Sequence, residues 1–326
     1  MSKSVFSYGV CYVGSKNKIC KWLTDLLPAG ERFIDLFGGG GAATHAAVLS
    51  GKYKEVVYSD INPFIVKLLQ KAVNGDYDYE RFTPHWVDRD LFMQSKDDIN
   101  ADPYIKYAFS FGAGGNTYLG TGEALARERA FHNWCVRGEI DDWLAQYFNQ
   151  ADLAFDNPDF DERRYFLRSK FNQILPRNGG GSFSARTLCF LARVQRFGRD
   201  CRGRVSISCH GYEDYKYRDG DVVYCDIPYI NTSGSKKYVC GFDHEAFYSW
   251  ARKLPCFISE YTMPSDFKQV ACIQKTSSLG TNNNCVSVEV LYKSPYIKLI
   301  NPRQLLLEDW YEDYRLSQKN QIQAQA

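Results

Sequence analysis

Arg32-Phe33-Ile34-Asp35-Leu36-Phe37 runs directly into four glycines, Gly38 to Gly41, and then into Ala42 to Leu49, a stretch of small helix formers. No other feature restricts the fold of this chain so much. A short continuous apolar run bounded by glycines reads as a buried strand. Glycines allow a tight turn, and the small residues behind them favour a helix packed close to the sheet. A second apolar run, Glu55-Val56-Val57-Tyr58-Ser59, ends at Asp60, and Pro63 stands where a helix begins. Strand, helix and strand in that order imply a parallel sheet, because parallel neighbours need a crossover between them.

The flanking segments fit an α/β chain. Lys18 to Leu27 carries helical spacing and stops before Pro28. Parallel-sheet logic resumes at Val205-Ser206-Ile207-Ser208, continues through Val222-Val223-Tyr224-Cys225 and returns at Cys256-Phe257-Ile258-Ser259. Cys285 to Tyr292 alternates and predicts a late antiparallel or edge strand. Between about Asn74 and Arg202 the pattern weakens around two Gly-rich loops, Ser110 to Asn116 and Pro176 to Gly181, and predicts a mostly helical second module. The Gln/Ala-rich tail from Gln318 predicts a frayed end.

Composition narrows the class. At 326 residues, with 44% hydrophobic and 24% charged residues, the chain is ordinary for a soluble globular protein. It shows no signal peptide and no run long enough to span a membrane, so a cytoplasmic location is expected. The 11 cysteines lack metal-ligand spacing and read as reduced structural thiols, with no metal site. Net charge is only +2, yet from Arg163 to Arg204 eleven Lys or Arg face a single acid, Asp200. A block that basic can follow a phosphate backbone, or it can be a solvated helix face.

Two strand ends carry candidate chemistry. The glycine turn, with Asp60 closing the next strand, suits an anionic or ribose-bearing ligand. Both dinucleotides and S-adenosylmethionine use such a layout. A dinucleotide fingerprint needs a third glycine, but after Gly39 and Gly41 that place is Thr44, so a nicotinamide dehydrogenase is the weaker reading. At the other strand end, Asp226-Ile227-Pro228-Tyr229 supplies a carboxylate and a carbonyl that can accept from one amino group, with a tyrosine to stack on the ring that bears it. Loop chemistry alone also produces Asp and Pro there. As a site, it suggests adenine.

In their order, these segments resemble the Dam family (D12 class) of N6-adenine-specific DNA methyltransferases, including its short phage-type members. Tyr12-Val13-Gly14-Ser15-Lys16 resembles the family's aromatic-x-Gly-x-Lys motif, and Phe33 to Gly41 its first-strand motif. Ser59-Asp60-Ile61-Asn62 resembles the second, Asp226 to Tyr229 the Asp-Pro-Pro-Tyr motif, Phe257 to Tyr261 the following strand and Leu291-Tyr292-Lys293 the closing tyrosine. The resemblance covers the first 70 residues and roughly 185 to 293. It implies an α/β, Rossmann-like S-adenosylmethionine-dependent methyltransferase sheet with an inserted, mostly helical target-recognition domain. The corresponding divisions are 1–73 and 203–300 for the core, 74–202 for the insert and 301–326 for a C-terminal extension.

By this resemblance, Tyr12, Lys16, Asp35, Gly39, Gly41, Asp60 and Asp226 would bind S-adenosylmethionine, and Asp226, Ile227, Pro228 and Tyr229 would form the catalytic loop. The implied reaction is direct methyl transfer to N6 of a flipped adenine in double-stranded DNA, by a monomer or weak dimer encoded by a bacterium or phage. Phe171-Asn172-Gln173, Arg177, Asn178, Gly181 and Phe183 resemble the family's DNA-contacting hairpin. Thr187 to Arg196 then reads as an amphipathic helix offering Arg193 and Arg196, so Asn172, Arg177, Asn178, Arg193 and Arg196 are the candidate DNA contacts. Ile227 departs from the usual first proline: it keeps the backbone carbonyl and loses the ring's stiffness. An RNA adenine methyltransferase and a catalytically impaired DNA-binding relative are the alternatives.

Overall fold

The computed structural model describes residues 7–174, 185–229, 241–276 and 286–297. Its centre is a seven-stranded sheet. The strands are β1 (Gly30–Asp35), β2 (Tyr53–Ser59), β3 (Val205–Ser208), β4 (Asp221–Asp226), β5 (Cys256–Ser259), β6 (Lys268–Thr276) and β7 (Val286–Lys293). Their order is β3-β2-β1-β4-β5-β7-β6. All neighbouring pairs from β3 to β5 are parallel, while β7 runs antiparallel to both β5 and β6. The chain leaves β1 toward β2 on one side and returns on the other as β4, so the order reverses between them. Ligands of open α/β sheets bind at the strands' carboxyl ends beside such a reversal.

Alternation along the strands explains why both faces are buried. Phe33, Tyr58 and Tyr224 enter one apolar cluster, with Leu69 and Phe197; Ile34, Val223 and Cys225 enter another, with Phe247 and Ile258. Successive side chains point to opposite faces, so a strand covered on both sides reads as an unbroken apolar run. The first face is covered by α2 (Ala42–Ser50), α3 (Pro63–Asn74) and α8 (Arg186–Cys201); the second by α9 (His244–Ala251). Preceding β1 is α1 (Cys20–Leu26), packed against α2.

The middle of the chain supplies α4 (Arg89–Ser95), α5 (Pro103–Ala108), α6 (Gly122–Arg137) and α7 (Phe160–Ile174), followed by α8. The buried aromatics Phe131, Trp134 and Phe171 of α6 and α7 belong to the same cluster as the sheet's first face. Division into a core at 1–73 and 203–300, an insert at 74–202 and an extension at 301–326 is a proposal, and the extension lies outside the described residues. The expected helix at 187–196 is the longer α8. The late alternating strand is antiparallel as expected but occupies an interior place, because β6 forms the edge beyond it.

At one contact the helices approach almost backbone to backbone. A Cβ on Gly198 of α8 would lie 2.3 Å from the Ala72 carbonyl oxygen of α3. Helix propensity alone would make Gly198→Ala stabilising by about 1 kcal/mol. The clash reverses that sign, and we expect a loss of about 1–3 kcal/mol from overpacking. Urea denaturation decides between the two.

Candidate active site

The glycine turn is held open by groups from β2. The Gly38 amide donates to the Ser59 carbonyl at 3.0 Å, and the Gly39 amide to the Asp60 carboxylate at 2.8 Å. The Tyr58 hydroxyl donates to the Gly39 carbonyl at 2.7 Å. The other Asp60 oxygen accepts the Asn62 amide at 2.8 Å, and Asn62 itself caps α3 by accepting from the Phe64 amide at 3.1 Å. Burial raises the Asp60 pKa, and these two amide donors oppose the rise.

The N-terminal segment lies across this turn. The Val10 amide donates to the Gly40 carbonyl at 2.8 Å, and the Gly9 amide to His45 Nδ1 of α2 at 3.0 Å. Consequently Tyr12 covers the turn: a Cβ on Gly39, whose φ is +47°, would meet its ring at 3.1 Å. The Tyr12 hydroxyl accepts from Asn62 Nδ2 at 3.1 Å, and its ring packs on Tyr107 of α5 at 5.8 Å. Gly41 instead faces Phe197 of α8, where a Cβ would come within 2.8 Å of the ring.

Asp35 ends β1 beside this turn. Its Oδ2 accepts from the Thr44 amide at 3.1 Å and the Thr44 hydroxyl at 2.7 Å; its Oδ1 is buried with no hydrogen-bond partner among the described residues. Burial pushes the carboxyl up to about 7; the Thr44 hydrogen bonds oppose the shift and the Asp226 charge reinforces it.

Asp226 ends the neighbouring β4. Lys16 Nζ lies 2.8 Å from its Oδ1 and 2.9 Å from Oε1 of Glu289 on β7. Burial would lower the Lys16 pKa, but Asp226 and Glu289 outweigh it and hold the ammonium charged. Glu289 is fully buried; that burial raises its pKa, Lys16 opposes, and Asp226 raises it further. The Tyr229 hydroxyl donates to Glu289 Oε1, while Lys16 Nζ sits 4.5 Å from the Tyr229 ring centre. Tyr261 packs edge-on against that ring at 4.6 Å. Ile227 is buried in the second apolar cluster, and the Pro228 carbonyl lies 2.8 Å from His244 Nε2 of α9. Burial and this contact anchor the loop where the first proline is missing.

A cavity of about 490 Å³ opens between the 11–19 segment and the helices α5 and α8, with Tyr12, Lys16, Tyr107, Arg186, Phe190 and Arg193 in its wall. Of the candidate DNA contacts, Arg193 lies in this wall. Arg196 is half-buried one turn further along α8, and its charge acts to lower the pKa of His45. Asn172 is exposed in the last turn of α7 and is not part of the cavity. Arg177 and Asn178 lie outside the described residues. Much of the basic block has internal partners: Arg164 pairs with Asp161, Arg186 with Glu128 and Arg202 with Asp78.

Residues 12–111 match the family model of the D12 class N6 adenine-specific DNA methyltransferases. Over that segment the chain is similar to a D12-class methyltransferase domain. That match runs from Tyr12 through β1, the glycine turn and Asp60 to the start of the aromatic loop at Phe111, and the mixed α/β sheet fits a Rossmann-like methyltransferase. The match implies an enzyme of DNA adenine methylation, a family that acts on DNA and uses a methyl donor. A comparison with curated protein sequences found no match. The D12-class motif segment ends well before Asp226, so the geometry around the second strand end is independent of it. Sequence reasoning missed Glu289, Asn62, Tyr107 and His244. Glu289 had a signal: it is the one acid among apolar neighbours in Val286 to Tyr292.

Asp35 generates a pH prediction. Below pH 7 its carboxyl is protonated when folded, whereas an unfolded Asp ionises near pH 4. Between those values the folded state holds the extra proton, so its stability contribution falls as pH rises. Relative to Asp35→Asn, the ligand-free protein should lose about 2 kcal/mol of stability from pH 5 to pH 8. Paired denaturant titrations at the two pH values measure it.

Proposed function

We propose that this chain methylates the N6 amino group of adenine in double-stranded DNA, with S-adenosylmethionine as the donor and a target nucleotide flipped into the site. The observation that carries the reading is the convergence of Asp35, the Gly39 turn, Asp60 and Asp226 on the strand ends beside the reversal between β1 and β4.

The residues fit this donor. Asp35 Oδ1, buried and without a partner among the described residues, is an acceptor suited to the methionine ammonium. Each Asp60 oxygen accepts one backbone amide, and a carboxylate oxygen has room for a second donor such as a ribose hydroxyl. Tyr12 offers a ring face above Gly39 for the adenine moiety. When bound, the cofactor supplies a methyl group on a sulfonium, whose carbon–sulfur bond breaks as the nitrogen–carbon bond forms.

The chain's residues make N6 reactive. Its lone pair is delocalised into the purine ring, so the amine is a weak nucleophile. Acceptance of its hydrogens by the Asp226 carboxylate and the Ile227 carbonyl favours a more tetrahedral nitrogen and stabilises the positive charge that grows on it. The Asp226 carboxylate then takes the proton that N6 loses and passes it to water. Lys16, 2.8 Å from Asp226 Oδ1, orients that carboxylate for this work. Tyr229 stacks on the extruded base. Arg193 and Arg196 contact phosphates, and the loop bearing Phe111, which is 64% exposed, borders the cavity and supplies an aromatic to fill the gap in the duplex.

We expect Asp226→Asn to cut methyl transfer by about 10²–10³-fold, the usual effect of removing one such polar contact. Tyr229→Ala should reduce turnover more than it weakens S-adenosylmethionine binding, because stacking of about 1–3 kcal/mol is lost on the base side. Transfer of labelled methyl from S-adenosylmethionine to unmethylated duplex DNA and to RNA, with wild type and both variants, tests the reading. Label in RNA alone makes the chain an RNA methyltransferase; cofactor binding without transfer makes it an inactive binder.

A further inference from the structure

Glu289 has no role in the reaction as drawn above, yet it sits at its centre. It lies on β7, whose next residues Val290 and Leu291 enter the apolar core, and its own side chain is fully buried. A carboxylate in such a place is costly unless it is paired and hydrogen-bonded. Two of its partners belong to the site: Lys16 Nζ stands 2.9 Å from its Oε1, and the Tyr229 hydroxyl donates to the same oxygen. Through Lys16 it also faces Asp226, since that ammonium is 2.8 Å from Asp226 Oδ1.

We propose that Glu289 is a positioning residue that sets the Tyr229 ring and draws Lys16 partly away from Asp226. The proposal rests on the adenine-methylation reading. Two consequences follow from the geometry. The Tyr229 ring is held by its hydroxyl on Glu289, by Lys16 at 4.5 Å from its centre and by Tyr261 at 4.6 Å, so the stacking platform has a fixed plane before the base arrives. And one ammonium divided between two carboxylates leaves Asp226 with more acceptor strength for the substrate amine than a private ion pair would. Without the Glu289 charge, Lys16 falls to Asp226 alone.

The test uses the full chain, with Glu289→Gln, Tyr229→Phe and the double variant. Gln keeps the side chain's size and an oxygen for Tyr229 but removes the charge; Phe removes only the hydroxyl. Single-turnover transfer of labelled methyl to unmethylated plasmid DNA and the Kd for S-adenosylmethionine in the absence of DNA are measured for each. Misplacement of about 1 Å can cost 10²-fold, so Glu289→Gln should slow transfer by about 10–100-fold. Its cofactor Kd should stay within about threefold of wild type, as for an interaction made only at the chemical step. Since one hydrogen bond joins the two side chains, the double variant should lose much less than the product of the single losses. A Glu289→Gln enzyme that transfers at the wild-type rate and merely melts lower overturns the proposal, as do multiplicative losses or a Kd that weakens in step with the rate. A wild type that transfers no methyl overturns the adenine-methylation reading and takes this proposal with it; normal transfer in Glu289→Gln overturns the proposal alone.

Discussion

One buried ammonium holds the site together. Lys16 brings its charge to two carboxylates that arrive on different strands, Asp226 from β4 and Glu289 from β7. A half-buried and a fully buried carboxylate on one ammonium repel each other, and Glu289 would cost several kcal/mol unpaired. Lys16 reaches them because the segment before α1 lies across the glycine turn, fixed there by the Gly9 amide on His45 and the Val10 amide on Gly40. The N-terminal segment, the end of β4 and the antiparallel strand β7 are thereby coupled in one electrostatic unit. That unit carries more negative than positive charge, in keeping with the sulfonium and ammonium of the donor proposed above.

The sheet order gives this unit its position. Because the chain turns outward on both sides of β1, the ends of β1 and β4 stand side by side with no helix crossing directly between them. Asp35 and Asp226 end these two strands, and Asp60 begins the turn after β2. Acids of different character result. Asp35 is buried to the point of holding its proton near neutrality, Asp60 is spent partly on backbone amides, and Asp226 is paired with a cation. The proposed function gives each of the three a separate task.

The parallel strands were legible because both of their faces are buried. Phe33-Ile34 and Val222 to Cys225 had to be unbroken apolar runs, and the glycines had to follow where Tyr12 and Phe197 press on the turn. β6 was not legible: Lys268-Gln269 and Gln274 are exposed on an edge strand, and polar residues there blur the alternation. The middle helices read weakly since α6 and α7 bury scattered aromatics among many charges. Within the site, residue identities were legible but partners were not. Lys16 was expected to bind the cofactor, and in the structure it contacts two carboxylates of the chain itself. Glu289 matters only through tertiary neighbours more than two hundred residues away in sequence at Lys16 and sixty at Tyr229, and no local pattern reports such a contact.

The central claim is that an amino group on adenine in DNA is the methyl acceptor. Mass spectrometry of nucleosides digested from unmethylated duplex DNA, after incubation with the protein and S-adenosylmethionine, tests it most directly. The account predicts N6-methyldeoxyadenosine, formed about 10²–10³-fold more slowly when Asp226→Asn replaces the wild type. Methyl groups on cytosine, or DNA left unmodified by a protein that binds the cofactor, would contradict it.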